Sequence, residues 1–174
     1  MQRFELKRHV SRRLAFGRRV GAAVPSDEIS IRVLLHPKDG HALADAVSAV
    51  CDPRRPSYGS FYTADEVRRL VAPGYQDLDA VLSWLHDSGL HTDEPVGART
   101  VIRARGSVEK VSKMLDIPVG RYAFRGLSGA RFGAERNPSI PAPLAAIVRG
   151  IAGLNDLPAA RRSPPIPAPK RPVR

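Results

Sequence analysis

One cysteine, Cys51, is all this chain has, so no internal disulfide can staple it. That neither demands nor excludes secretion, since many secreted domains of this size fold without bridges. Aromatics are scarce, at 6% with a single tryptophan, so a core must be built mainly from Leu, Val, Ile and Ala. No run is long and apolar enough to span a membrane. The N-terminal stretch lacks a secretory apolar region, because Arg18 and Arg19 interrupt the only candidate, residues 14–24. Ser11-Arg12-Arg13 is not followed by the apolar stretch of a twin-arginine signal. The signatures of catalysis are missing too: no G-x-S-x-G, P-loop, Rossmann fingerprint or H-E-x-x-H. The glycines between 126 and 133 match no phosphate loop.

Acidic residues are nearly absent from both ends. Residues 1–24 hold seven Lys and Arg against Glu5 alone, and residues 159–174 hold five with no acid. The whole chain carries +11, so the stretch between is neutral. A folded nucleic-acid reader normally bears its basic stripe on the domain itself. Basic arms binding nucleic acid or an anionic surface are therefore the alternative reading, not the leading one.

What is present is a hydrophobic fraction of 43%, enough for one modest core. Glu28–Leu35 alternates, with Ile29, Ile31 and Val33 on one side and Ser30, Arg32 and Leu34 on the other, and predicts a half-buried strand. Ala42, Leu43, Ala46, Val47 and Val50 recur at helical spacing over residues 40–51, and Asp52-Pro53 ends that helix. Thr63-Ala64-Asp65-Glu66 is a capping box opening a helix to Val71. Leu78, Val81, Leu82 and Leu85 mark a third helix up to Ser88, with Gly89 as its cap. Strands are expected at 90–95 and 99–105, and a helix from Ser107 to Leu115 with Val108, Val111 and Leu115 inward. A hairpin is expected over 118–124 and 130–133, a short helix at 143–148 and a last strand at 151–154. The order predicts an α+β fold of ferredoxin-like, split βαβ type: an antiparallel sheet with helices on one face. Three regions follow: a basic N-terminal arm (1–27), a folded domain (28–157) and a Pro- and Arg-rich tail or linker (158–174).

His36, His41, His86 and His91 offer too few convergent ligands for a metal and read as solvated turn residues. The acid pairs Asp77/Asp79 and Asp93/Glu94 sit beside turns or helix starts, where acids favour the helix dipole. Tyr58, Phe61 and Tyr62, near Arg54 and Arg55, could stack on bases, anchor their loop, or contact a protein partner. Domain neutrality favours the last two.

Several segments, in order, resemble the pro-domain of the sedolisin/kumamolisin serine-carboxyl peptidases. They are Ile29–Leu35 with Pro37; Asp52-Pro53 … Pro56-Ser57-Tyr58-Gly59 running into Phe61-Tyr62-Thr63-Ala64-Asp65-Glu66, similar to the family's D-P-x-x-P-x-Y-G; and Trp84-Leu85 … Gly89-Leu90. Then come Val101–Gly106 with Val108–Leu115, Gly120-Arg121-Tyr122, Asn137-Pro138-Ser139-Ile140-Pro141, and the closing Val148-Arg149-Gly150-Ile151-Ala152-Gly153-Leu154-Asn155.

The resemblance implies a non-catalytic propeptide. It would assist folding of a subtilisin-like acid peptidase and inhibit it until acid-triggered processing. The Ser-Glu-Asp machinery and the calcium of that family belong to a separate catalytic domain, so no catalytic residue, metal or cofactor is assigned here. The implied partner is that catalytic domain, in cis or in trans; no membrane and no nucleic acid are expected. Pro56, Tyr58, Phe61, Tyr62, Leu154 and Asn155 are the partner-interface candidates. Pro158, Ala159, Ala160, Arg161, Arg162 and Ser163 are the candidates for processing or for lying in the cleft. The family also implies an extracellular location.

Overall fold

The computed structural model describes residues 2–95 and 98–157. Its strands are β1 (Arg3–Glu5), β2 (Arg18–Ala22), β3 (Glu28–Leu35), β4 (His91–Thr92), β5 (Val101–Ser107), β6 (Val119–Ala123), β7 (Arg131–Ala134), β8 (Ser139–Pro141) and β9 (Val148–Ala152). Its α-helices are α1 (Gly40–Cys51), α2 (Ala64–Val71), α3 (Tyr75–Asp87) and α4 (Val108–Leu115). Two short 3-10 turns cover Arg12–Phe16 and Ala142–Ala146. The fold is α+β.

The main sheet has the order β4-β5-β3-β9, with every pairing antiparallel. Alternation along β3 is the reason it sits at the centre. Ile29, Ile31, Val33 and Leu35 are buried, while Ser30 and Arg32 face out. In β5, Ile102 and Ala104 point the same way as the β3 apolar set. That face shares one core with Leu78, Val81 and Leu85 of α3 and with Val108, Val111, Met114 and Leu115 of α4. Burying an Ile or Leu side chain fully is worth about 1.5–3 kcal/mol, so this one interface carries much of the stability. Helices α1 and α2 contact each other, and their buried residues Ala46, Val50 and Val71 stand outside that cluster.

Local signals explain the ends of the helices. Asp39 caps α1 by accepting from the His41 and Ala42 N–H groups, both at 2.9 Å. The capping box of α2 is complete in both directions. Ser107 Oγ accepts from Lys110 N–H at 3.3 Å and opens α4. After α3, Gly89 takes φ +76°, the left-handed conformation that favours glycine past a helix end.

Several expectations are corrected. The strand expected at 90–95 shrinks to His91–Thr92, and the one expected at 99–105 starts later, at Val101, because Arg99 is turned to φ +56°. The helix expected at 143–148 is a 3-10 turn over Ala142–Ala146, and the last strand begins at Val148. The N-terminal stretch is folded onto the domain. β1 pairs with β8 and β2 with β6, and Leu6, Leu14 and Ala23 are buried. Some of its basic groups are engaged internally: Arg3 donates to the Met114 carbonyl (2.7 Å), and Arg19 pairs with Glu135 (2.6 Å).

Candidate functional site

The loop joining α1 to α2 is built from the end of α1. Its last turn leaves carbonyls without helical partners, and the loop supplies them: Ser57 Oγ donates to the Ala49 carbonyl (3.1 Å) and Gly59 N–H to that of Val50 (3.1 Å). Asp52 Oδ1 accepts from Arg54 N–H at 3.0 Å. These bonds fold the loop back and leave its aromatic rings outside. Phe61 is 81% exposed, Tyr58 56% and Tyr62 46%, and Pro56 is exposed as well. The rings therefore do not anchor the loop in a core. Next to them, Glu66 accepts from the Thr63 N–H and hydroxyl, both at 2.8 Å, and these bonds hold its carboxyl below the usual glutamate range.

Leu154 and Asn155 serve a different end of the molecule. Leu154 is buried in the core. Its carbonyl accepts from Ala134 N–H at 2.9 Å, and Asn155 bridges to Gly133. Asp156 adds a bond from Phe132 N–H (2.6 Å) and an ion pair with Arg131 (3.7 Å). Residues 154–156 thus run along β7 and fix the direction in which the chain leaves the domain. The turn before them needs Gly153. Its φ is +90°, and a Cβ there would meet the Ser30 carbonyl oxygen. Pro158, Ala159, Ala160, Arg161, Arg162 and Ser163 lie outside the described residues.

The sequence reading missed the outer face of the main sheet. Register places Ser30 opposite Arg105, Arg32 opposite Arg103, and Leu34 opposite Val101. Arg105 is paired with Asp93 at 2.6 Å, and this bond raises its pKa further. Arg32 and Arg103 have no carboxylate partner among the described residues. Like charges directly opposite on neighbouring strands are unfavourable by themselves. Ser30, Arg32, Asp93, Arg103, Arg105 and Gly153 line a cavity of about 520 Å³ on this face. The alternation of β3 and β5 gave the signal: their outward positions include Ser30, Arg32, Arg103 and Arg105, which form no ion-pair ladder across the two strands.

A third cluster ties β2 to the β6–β7 hairpin. Glu135 Oε1 accepts from Arg19 Nε at 2.6 Å and from the Tyr122 hydroxyl at 3.0 Å. The Arg19 bond, helped by that of Tyr122, holds the Glu135 carboxyl below the usual range against the effect of burial. Desolvation first, and then the glutamate, push the Tyr122 phenol up.

His36, His41 and His91 are exposed, and His86 Nε2 lies 2.8 Å from Thr92 Oγ1. Among the described residues no three His, Cys, Asp or Glu side chains converge on a metal position. No helix among them is long and apolar enough to cross a membrane.

A sequence model of the Pro-kumamolisin activation domain matches residues 17–157. The chain is 29% identical over 156 residues to Tripeptidyl-peptidase 1 of Rattus norvegicus, covering 87% of this chain and 26% of that protein. It is 30% identical over 117 residues to Tripeptidyl-peptidase 1 of Dictyostelium discoideum (67% and 19%), and 26% identical over 140 residues to that of Homo sapiens (80% and 25%). It spans between about a fifth and a quarter of the length of these relatives. The match runs from β2 to the strand-like exit at 154–156, across the open sheet face and the aromatic loop, and the chain belongs to the Pro-kumamolisin activation domain family.

Proposed function

We propose that this chain is the propeptide of a sedolisin-type serine-carboxyl peptidase. It assists folding of the catalytic domain and inhibits it until acid triggers processing. The observation that carries the reading is the uncovered sheet face, with Arg32 and Arg103 opposed and unpaired, in a domain matched to an activation family over residues 17–157. A partner surface bearing carboxylates would relieve that opposition. The exposed Tyr58, Phe61 and Tyr62 supply a second contact of the kind enriched in interfaces. In this reading residues 158–163 are the segment that enters the substrate cleft. Tethering two contacts on one chain makes the second effectively intramolecular. Acid protonates carboxylates on the partner, weakens their pairing with arginine, and releases the complex. The chain contributes no catalytic group in this scheme, and calcium belongs to the catalytic domain.

Inhibition of a mature sedolisin-type peptidase by this chain, titrated from near-neutral to acidic pH, tests the proposal. Tight inhibition that fades as pH falls supports it. Absence of inhibition of its cognate peptidase, at a pH where both stay folded, overturns it.

A further inference from the structure

His9 lies in the turn after β1, half-buried, with its imidazole held on both sides. Nδ1 is 2.9 Å from the Leu6 carbonyl oxygen and 2.9 Å from that of Lys7. Nε2 is 3.0 Å from the backbone nitrogen of Ile151 on β9. A carbonyl only accepts and a backbone N–H only donates. The three contacts therefore fix the tautomer, with the proton on Nδ1 and the lone pair on Nε2. The strand makes room for the ring through Gly150, where a Cβ would stand 3.1 Å from Nε2. The backbone of the turn is pinned as well: His9 N–H donates to Asn137 Oδ1 (3.0 Å), and Asn137 Nδ2 donates to Glu5 Oε1 (2.8 Å).

We propose that His9 is a proton-operated latch holding the N-terminal turn against the edge of β9. A proton on Nε2 converts an acceptor into a donor facing the Ile151 N–H, so protonation and the latch bond exclude each other. Acid then favours the released form, and imidazole is the side chain that ordinarily changes charge between pH 5 and 8. The charged neighbours give the protonated ring no substitute partner. Lys7 and Arg8 flank it on its own segment, and Arg149 precedes Gly150 on β9. Glu5 is reached only through Asn137; it lines, with Asp116, Glu135 and Arg136, the cavity of about 380 Å³ beside that asparagine. No carboxylate hydrogen-bonds the ring among the described residues. Release frees the turn at 7–10 and bares the edge of β9 just before the exit at Gly153. β1 stays anchored by β8 and by Leu6 N–H on the Pro138 carbonyl (2.8 Å). The latch is a property of this chain alone and does not depend on docking to a peptidase.

The test follows amide exchange and ring nitrogen shifts by NMR on the labelled full chain, wild type and His9→Gln. A glutamine oxygen accepts at any pH, and the four other histidines are common to both chains. In the wild type, the ring is the neutral Nδ1–H tautomer near pH 7.5. The protection factor of the Ile151 amide falls about tenfold by pH 5, the worth of one hydrogen bond. In His9→Gln that fall is absent. An Nε2–H tautomer at pH 7.5, Ile151 protection unchanged while the ring protonates, or the same fall in His9→Gln would each overturn the latch. If His9→Gln does not fold, the wild-type ring shifts and Ile151 protection decide the matter alone.

Discussion

Replacing Gly153 by alanine tests the geometry of the chain exit. Two costs act at this position, and the structure separates them. The backbone at φ +90° is one that residues with a Cβ rarely adopt, which costs about 1–2 kcal/mol. The new methyl would also meet the Ser30 carbonyl on β3, a central strand that cannot step aside without disturbing its pairing. Forcing an atom into filled space costs about 1–3 kcal/mol more. Gly153→Ala is therefore expected to lose ~3 kcal/mol in urea unfolding. That corresponds to a Tm lower by about 6–12 °C for a domain of this size. Gly126→Ala is the control: its φ is +78°, but nothing lies within 4 Å of the added Cβ, so only the backbone cost of about 1–2 kcal/mol applies. Equal losses at the two sites would refute the argument that the exit is pinned sterically against β3.

Glu135→Gln is expected to lower stability near neutral pH and flatten the acid limb. The native carboxyl is held below its usual range, so its contribution is present above the unfolded value of about 4.3 and is lost as pH falls through the lower folded value. Denaturant titrations at a series of pH values measure this, and parallel curves for the two proteins would contradict it. Thr63→Ala removes the α2 cap and should cost about 1 kcal/mol. Adding Glu66→Ala should cost less than the sum of the single changes, because the two side chains bond each other. Arg32→Glu with Arg103→Glu should leave thermal stability near that of the wild type and weaken inhibition of the cognate peptidase at least tenfold. Inhibition unaltered by this double reversal would remove the sheet face from the docking surface.

Elements that bury a periodic face were legible in the sequence. β3 shows it through Ile29, Ile31 and Val33, and α4 through Val108, Val111 and Leu115. The α2 cap was legible because Thr63 and Glu66 make their bonds within one turn. What escaped depends on distant partners. β1 is three exposed residues, defined only by its pairing with β8, and Arg99 takes a positive φ without being a glycine. Part of the site was hidden for the same reason. The aromatic loop was named from its residues, and it is exposed. Leu154 looked like an interface residue in a closing motif but fills the core. The unpaired arginines become a site only when register sets Arg32 against Arg103. His9 carries no sequence signal, since its partners at Leu6 and Ile151 are backbone atoms.

The pairing of β1 with β8 also sets an order of events. Arg3 and Ser139 are 136 residues apart. A chain emerging N-terminus first presents β1 long before its partner strand exists. Until that segment arrives, the Leu6 N–H lacks its Pro138 acceptor and the main sheet lacks β9. Closing β1 onto β8 joins segments far apart in the chain, and the entropy cost of such a closure grows with the length between them and slows the search. Deleting β1 is then expected to change folding kinetics as well as stability, because it removes a pairing between segments far apart in the chain.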